Sequence, residues 1–511
     1  MTTPSRASRV LSGIASNFAV KAITFVLTLL STRLMVAAYG DDRYGVLLLS
    51  GLLLGYFSLV GMGIPSGVVK FVAEFRGKSD QDSINRVVSS AFAFYLGIGS
   101  VVALAVCAFA LFGLGWFRIK PEDIDTARRI LLISGVWAIF AWPIQLYGQV
   151  LMGLQEWVAF NKAVGVQAVL ANVAYVVVAW LRVPIEWASV ALIATQILMW
   201  WMTRSQVRRT APELRISLGL ASWATVLKVT NYSIWIMLMT LAGLLIFQTQ
   251  SVIAGIFLST AAITAFSIAS TPLNAIREIN SRVLTTLLPA VSEAQGARDH
   301  GFISALVLRG SRLNMAAIAT LGAIGIGTAE VALKAWMGPN YGQYADVTRI
   351  LLLGYCVSAG YSVIGQALIG MNHVRLIASF AIVGGFISIL ASLALVDRIG
   401  LMGLAWGNAL PSLVFPFLVT RLYLNRLGVG TLEFLRAVLL PNFVSMTLVA
   451  GMAWWCSQMF LSQPATGLIP SLAFLTIVTL AAFVIPYVIV FKDEDRQKVH
   501  AMLGRLRRIG Q

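Results

Sequence analysis

The sequence predicts an all-α membrane protein that crosses the bilayer many times. Hydrophobic residues make up 58% of the 511 residues and charged residues only 12%, against roughly 25% charged in ordinary globular domains. The apolar residues also gather in runs of about twenty, the length that a helix needs to cross a bilayer. The 38 basic and 21 acidic side chains are too few to cover soluble domains of this size.

Fourteen apolar segments follow one another along the chain. The first ends near residue 38 and carries Asn17 and Lys21. It lacks the small-residue cleavage site of a secretory signal, so we interpret it as a membrane helix. The run from 225 to 290 is the hardest to divide. The other segments are 45–69, 88–117, 130–153, 161–181, 187–203, 225–248, 262–290, 313–335, 347–370, 375–396, 401–424, 436–460 and 467–491.

An internal repeat organises these segments. The stretch Gly148–Gln155 recurs as Gly365–Asn372 at a shift of 217, and Asn17 pairs with Asn231. Glu74, Gly77 and Asp80 recur as Glu293, Gly296 and Asp299. Spans 1–6 and 7–12 are therefore predicted to be halves of equal orientation, related by an axis along the membrane normal. The predicted divisions are a cytoplasmic N-terminus (1–10), two six-helix bundles (11–215 and 216–430), two further helices (431–491) and a tail (492–511).

The positions of Lys and Arg set the orientation. With the N-terminus inside, 27 of the 38 lie in cytoplasmic segments and nine outside, while Lys21 and Arg33 fall within the first span. Both termini are therefore predicted to be cytoplasmic. The basic residues sit at the ends of apolar segments, so the net charge of +17 does not indicate nucleic acid. The three cysteines lie in apolar runs and the three histidines are isolated, so we predict no disulfide, metal or cofactor.

Two spans carry polar stripes, and ionisable residues at membrane depth are functional candidates by default. Asn17, Lys21, Thr24, Thr28 and Ser31 fall within about 40° of one another at ~100° per residue in the first span. The eighth span has a matching stripe, so we predict that the two line a shared cavity. Its members are Ser267, Thr271, Asn274, Glu278, Ser281 and Thr285, with Arg277 at the flank and Pro272 offering a kink.

Each candidate also has a structural alternative. Ser and Thr often bond to backbone carbonyls and Asn often joins helices. Glu278 pairs with Arg277 or Lys21 in one reading, and Arg33 is placed to extend toward headgroups. The segment 61–67, Gly-Met-Gly-Ile-Pro-Ser-Gly, is either a hinge or a close-packing site. The tail from Lys492 reads as a basic amphipathic helix on anionic membrane lipids.

Several motifs resemble the Wzx-type polysaccharide flippases of the multidrug/oligosaccharidyl-lipid/polysaccharide (MOP) exporter superfamily. The opening, with Asn17, Lys21, Arg33, Gly40 and Tyr44-Gly45, is similar to that family's first span. The stretch Gln248–Leu258 with the following 266–269 resembles a conserved stretch of that family between the seventh and eighth spans, and the Leu-Pro-Ala-Val-Ser of 288–292 resembles the motif that ends its eighth span. One position departs from the pattern, because Gln250 stands where many members carry an Asp.

The resemblance implies a V-shaped pair of six-helix bundles in the bacterial inner membrane that work by alternating access through a central cavity. It implies transport of an undecaprenyl-pyrophosphate-linked oligosaccharide to the outer leaflet for O-antigen or exopolysaccharide synthesis. It also implies polysaccharide polymerase and chain-length machinery as partners. Lys21 and Arg277 would hold the pyrophosphate, and Asn17, Arg33, Asn231, Asn274 and Glu278 complete the predicted substrate site.

Three other functions compete with this interpretation. A cation-exporting multidrug transporter shares the fold but needs an unpaired membrane carboxylate, whereas Glu278 adjoins an arginine. A lipid II flippase shares the Leu-Pro-x-x-Ser motif. A membrane glycan polymerase or ligase, the enzyme alternative, needs catalytic residues on large external loops. The longest external loop, 118–129, has Glu122, Asp123 and Asp125 but no His.

Overall fold

The computed structural model describes residues 6–57, 63–231, 234–462 and 468–497, without the side chains at 6–19, 57, 63, 231, 234, 236, 468 and 469. Across these ranges the chain forms helices joined by short turns, and no β-strand occurs among them. The all-α prediction is confirmed. The apolar runs form helices because a helix satisfies every backbone hydrogen bond within one segment, as the membrane interior requires.

The first long helix, α1 (Arg6–Phe57), contains one break. Gly40 has φ 79° and ψ 169°, outside helical geometry. Only glycine adopts this conformation without strain, because it has no Cβ. The first two predicted spans therefore meet at Gly40 within one element. The helices that follow to the middle of the chain are α2 (Gly63–Gly77), α3 (Gln81–Ala108), α4 (Ile124–Gly153), α5 (Trp157–Leu181), α6 (Glu186–Thr210), α7 (Trp223–Asn231), α8 (Ile234–Phe247) and α9 (Thr249–Phe257).

The second half of the chain begins with α10 (Thr260–Gly296), which carries the second polar stripe and contains Pro272 and Pro289. The merged run 225–290 is thus divided among four helices, α7 to α10. The remaining helices are α11 (His300–Met337), α12 (Ala345–Gly370), α13 (Val374–Ile399), α14 (Leu401–Arg426), α15 (Thr431–Phe434), α16 (Leu440–Leu461), α17 (Leu468–Ala482) and α18 (Val484–Ile489).

Eleven helical segments of the described chain are long and apolar enough to cross a membrane. One of them, Val20–Tyr56, contains two predicted spans, one on each side of Gly40. Two long helices, α6 and α10, are not among the eleven. Both carry several charged residues, three arginines near the end of α6 and the group around Arg277 in α10. The predicted fourteen spans and these eleven segments therefore differ by the span pair joined at Gly40 and by the two charged helices α6 and α10. The protein is a multi-pass membrane protein.

The chain divides into two compact units. Unit 1 comprises Met1–Leu244 with Ser251–Thr264, and unit 2 comprises Leu245–Gln250 with Ala265–Gln511. The core of unit 2 is a large cluster of buried side chains from α11, α12, α14 and α16. In unit 1, a corresponding cluster joins α2, α3, α4 and α7.

Residues that the charge pattern places outside the cell meet at one end of unit 1. Arg43 Nε binds Asp123 Oδ1 at 2.8 Å, and Lys120 Nζ binds Asp42 Oδ2 at 2.6 Å. The hydrogen bond to Asp42 raises the pKa of Lys120 above its ordinary value. A Cβ on Gly45 would collide with the backbone of Thr260, so the glycine allows a close helix approach there. These contacts connect the Gly40 break to the α3–α4 loop.

The internal repeat appears in the way the helices end. The segments after α2 and α10 each contain one residue of positive φ, Ser79 (54°) and Arg298 (56°). The next residue, Asp80 or Asp299, caps the following helix. Their carboxylates accept hydrogen bonds from the backbone N–H three residues on, at 3.0 and 2.9 Å. The same C-terminal turn and N-cap thus occur in each unit at a shift of 219.

The second repeated motif also has matching geometry. α4 ends at Gly153 and α12 at Gly370, each followed two residues later by a positive-φ residue, Gln155 (62°) or Asn372 (67°). A Cβ on Gly153 would meet Val72 at 2.8 Å, and one on Gly370 would meet Val291 at 2.8 Å. Val72 and Val291 are themselves 219 residues apart. The glycines recur because helices pack closely at both places.

Two predicted features lie wholly or partly outside the described residues. The glycine-rich segment 61–67 is described only from residue 63, where α2 begins. The basic tail helix is described only to residue 497. Within the described part of the tail, buried Asp495 accepts hydrogen bonds from Arg309 Nη2 at 2.5 Å and Arg312 Nη2 at 2.6 Å. This double contact fastens the residues after α18 to α11.

Candidate functional site

The polar stripe of α1 belongs to unit 1. Lys21 and Thr28 are exposed there, Thr24 is half-buried and Ser31 is buried. Thr24 donates a hydrogen bond to the Val20 carbonyl at 2.8 Å, and Thr28 donates to the Thr24 carbonyl at 2.9 Å. Both threonine hydroxyls thus donate to backbone carbonyls of the same helix, as the structural alternative predicts. Their oxygens can still accept hydrogen bonds from a ligand. Lys21 supplies the positive charge of this stripe.

The packing of α1 against α5 determines which face of the stripe is covered. Ser31 donates to Asn172 Oδ1 at 2.9 Å, and Tyr39 donates to the Val183 carbonyl at 2.5 Å. A Cβ on Gly165 would lie 3.0 Å from Val20 Cγ1. Ser31 therefore serves helix packing, whereas the Lys21 side of the helix is exposed within its own unit.

Three other predicted site residues contribute less to the described geometry. Asn17 and Asn231 lie in the helices α1 and α7, but their side chains are outside the described residues. Arg33 is exposed on α1, two residues beyond buried Ser31. Its exposure is compatible with extension toward headgroups as well as with substrate contact, so its place in the site stays a prediction.

The polar stripe of α10 lies on a surface of unit 2. Its N-terminal members, Ser267 and Thr271, are half-buried, whereas Asn274 and Glu278 are exposed, as are the two residues that end the stripe. The opposite face of the helix buries Leu273 and other apolar side chains. A helix with one apolar buried face and one polar exposed face presents the polar groups to whatever occupies that surface.

Two contacts that the sequence did not predict hold α10 against α12 within unit 2. Buried Asn280 donates to the hydroxyl of Tyr355 at 2.9 Å, and Thr348 donates to the Ala269 carbonyl at 2.8 Å. No local sequence signal distinguishes these residues from other polar residues in apolar helices. Their tertiary contacts set the rotation of α10 and so the direction of its stripe.

Arg277 is the central cation of this surface. The carbon at the centre of its guanidinium lies 3.3 Å from the ring centroid of Phe247, and Nη1 donates to Asn274 Oδ1 at 3.2 Å. A guanidinium stacked on an aromatic face is held flat while its edge remains available for further hydrogen bonds. Phe247 is therefore a packing partner of Arg277 that could not be identified from the sequence.

Glu278 forms an ion pair one helical turn along α10. Its Oε1 lies 2.7 Å from Nη2 and 3.1 Å from Nε of Arg282. Arg282 is a partner that the sequence analysis did not name, although a Glu and an Arg four residues apart on a helix face are natural partners. Half of each side chain is exposed, at 48% for Glu278 and 57% for Arg282. The carboxylate is thus neutralised locally.

Gln250, which stands where the resemblance expects an Asp, is fully buried in unit 2. Its Nε2 donates to Ser388 at 2.8 Å, and its Oε1 accepts from Ser392 at 2.5 Å. Nearby, Asn408 donates to the Ile246 carbonyl at 2.6 Å. An amide suits this place because it both donates and accepts, which a carboxylate at neutral pH does not. The network joins α8 and α9 to α13 and α14.

These surfaces are suited to binding. The described residues contain no group of three or more His, Cys, Asp or Glu side chains placed to hold a metal ion. What the stripes offer is a lysine, an arginine with a planar fork of donors, an amide and several hydroxyl oxygens. Cations and amides of this kind recognise phosphate oxygens and sugar hydroxyls.

The fold of the chain is similar to that of a solved flippase and a solved transporter. The structure matches the lipid II flippase MurJ in an inward closed conformation with a TM-score of 0.67 and 11% identity, covering 93% of this chain and 99% of that one. It matches an inward-facing multidrug resistance MATE family transporter of the MOP superfamily with a TM-score of 0.62 and 13% identity. That match covers 81% of this chain and 98% of the transporter.

Comparison of sequences finds one distant relative among curated proteins. The chain is 20% identical over 441 residues to the uncharacterized membrane protein EpsK of Bacillus subtilis (strain 168), which covers 83% of this chain and 86% of that protein. No family model matches the chain.

Proposed function

We propose that this protein is a flippase for an undecaprenyl-pyrophosphate-linked oligosaccharide. It moves the headgroup from the cytoplasmic to the outer leaflet of the bacterial inner membrane, with both termini in the cytoplasm. The shared fold with a lipid II flippase supports the class of substrate, and the charge asymmetry of the loops supports the orientation.

The observation that carries the proposal is the pair of polar helix faces that bear Lys21 and Arg277. Each is an exposed face of an otherwise apolar helix within its own unit. A pyrophosphate needs fixed positive charge in a site of low dielectric constant, where Coulomb attraction is strong. In this proposal Lys21 and Arg277 bind the pyrophosphate, while Asn274 and the hydroxyl oxygens of Thr28 and Thr285 bind sugar hydroxyls.

Deletion and complementation test the proposal. A deletion strain should accumulate one lipid-linked glycan on the cytoplasmic side, identified by mass spectrometry, and should lack the corresponding surface glycan. Wild-type protein should restore export, whereas Lys21→Ala and Arg277→Ala should not. Lys162→Ala is the matched control for Lys21, because Lys162 is an exposed lysine on α5 outside the stripe. Protein abundance in the membrane is measured for every variant.

The outcomes separate the proposal from its rivals. Accumulation of lipid II would assign the protein to peptidoglycan precursors. Normal surface glycan in the double variant Lys21→Ala, Arg277→Ala, at normal abundance, would contradict the role of these two cations.

A multidrug antiporter is the second candidate, favoured by the fold shared with the MATE transporter. It needs a membrane carboxylate that exchanges a proton or sodium ion for an organic cation. The ion pair of Glu278 with Arg282 argues against that role. Glu278→Gln should therefore leave glycan export partly active in the proposed flippase, and it should abolish drug efflux if the antiporter reading is right.

A further inference from the structure

Unit 2 contains a cavity of about 680 Å³ where the end of α18 meets the turn between α15 and α16. We call it the tail cavity. Its polar lining consists of Arg312, Arg436 and Lys492 with one carboxylate, Glu433, and its apolar lining includes Leu432 and Ile489. All of these residues are described and belong to one unit. The lining therefore combines a net positive charge with an apolar wall.

Arg312 is the buried cation of the cavity lining. The side chain is about nine-tenths buried, at 7% exposure, and its Nη2 binds Asp495. Its Nε is buried and has no hydrogen-bond partner among the described residues. Asp495 is shared between Arg309 and Arg312, so one carboxylate serves two guanidinium groups and positive charge is left over beside the cavity. Asp495 does not line the cavity, and its two oxygens are occupied by Arg309 and Arg312.

The other two cations are free to reach a ligand. Arg436 and Lys492 are exposed, and neither forms an ion pair with a carboxylate in the described part of the chain. Arg436 lies in a π-helical turn, Leu435–Leu439. Such turns are rare and occur frequently at functional sites. The turn places Arg436 and the exposed Leu432, at 59% exposure, around the same cavity.

We propose that the tail cavity binds the phosphate of an anionic membrane phospholipid. Arg312, Arg436 and Lys492 hold the phosphate oxygens, and Leu432 and Ile489 contact the acyl chains. Free inorganic phosphate offers the same charge but no apolar part, and so leaves the apolar wall unused. The site belongs to unit 2 alone and uses none of the residues assigned to the transported headgroup.

Lipid binding to the purified full-length protein tests this site. Delipidated protein in detergent is titrated with phosphatidylglycerol, phosphatidylcholine or inorganic phosphate, and native mass spectrometry with thermal unfolding reports the binding. Phosphatidylglycerol should bind and raise the melting temperature, while the other two should do neither. The double variant Arg436→Gln, Lys492→Gln should bind phosphatidylglycerol about thirtyfold more weakly, since each surface cation contributes about a factor of five.

Arg426→Gln is the matched control, because Arg426 is exposed at the end of α14 and does not line the cavity. It should bind phosphatidylglycerol like the wild type. Circular dichroism checks that the double variant is folded; if it is not, Lys492→Gln alone should show about a fivefold loss. Equal binding of phosphatidylcholine, equal stabilisation by inorganic phosphate, or wild-type affinity of the variants would each overturn the proposal.

Discussion

Replacement of Arg277 by alanine tests the role of its positive charge in transport. In the proposed flippase, the guanidinium attracts a phosphate charge about 4 Å away, worth about 4 kcal/mol at an effective dielectric constant of about 20. Loss of that attraction in the rate-limiting step should slow export by about a thousandfold. Surface glycan, measured with a glycan-specific antibody or lectin, should fall to the level of the deletion strain.

The same substitution also removes structural contacts. Stacking of the guanidinium on Phe247, at 3.3 Å from the ring centroid, is worth about 2 kcal/mol. The hydrogen bond to Asn274, at 3.2 Å, adds about 1 kcal/mol. Arg277→Ala should therefore lower the free energy of unfolding by up to about 3 kcal/mol, and export must be normalised to membrane abundance.

Phe247→Leu is the control that distinguishes the two effects. It removes the aromatic ring but leaves the charge on Arg277, so it should lower the melting temperature while retaining most of the export. Arg277→Lys keeps the charge without the planar fork of donors, and it should export at an intermediate level. Export by Arg277→Ala at the wild-type rate would refute the reasoning. So would equal loss of export in Phe247→Leu at equal abundance, because Arg277 would then act only through packing.

Three further predictions concern orientation, the tail and the buried amide. Cysteines introduced at exposed Ser79 and exposed Glu122 should respond oppositely to impermeant thiol reagents in intact cells, with labelling only at 122; labelling at 79 would reverse the predicted orientation. Burial alone would raise the pKa of Asp495, but the hydrogen bond from Arg309 and the nearby arginine charges outweigh it and lower that pKa. Tail docking therefore contributes stability above the ordinary carboxyl pKa of about 3.9, which is lost as the pH falls through the lowered value. Asp495→Asn should abolish this pH dependence and lower the free energy of unfolding by about 3–5 kcal/mol, measured by chemical denaturation, and an unchanged profile would contradict the docking. Gln250→Ala leaves two buried serine hydroxyls without their partner and should lower the free energy of unfolding by about 2–4 kcal/mol in the same measurement. A neutral effect would mean that the two hydroxyls find other partners.

Local sequence was sufficient for most of the helical layout. Runs of apolar residues predict membrane helices wherever they occur, because the bilayer excludes unpaired backbone groups. The break in α1 was harder to predict, since Gly40 differs from the other glycines only in the conformation that its surroundings require. The span 262–290 was recognisable in the sequence, although its charged residues keep α10 from counting among the helices that are apolar enough to cross a membrane.

The candidate site could be predicted only in part. The stripes follow from helical periodicity, which depends on local geometry alone. The partners of the stripe residues cannot be derived from periodicity. The ring of Phe247, which stacks on Arg277, is thirty residues away in sequence. Glu278 had a local partner in Arg282 that the periodic spacing of four already indicated.

The sequence by itself determined that the chain is helical, crosses a membrane many times, contains a repeat and carries charge on two polar stripes. These properties depend on composition and on periods of a few residues. Only the tertiary structure decided that Gln250 bridges Ser388 and Ser392, that Asp495 docks on Arg309 and Arg312, and that three cations surround one cavity. The hydrogen bonds among these contacts join residues more than a hundred positions apart. Helix packing selects them because buried polar groups must find partners wherever the fold places them.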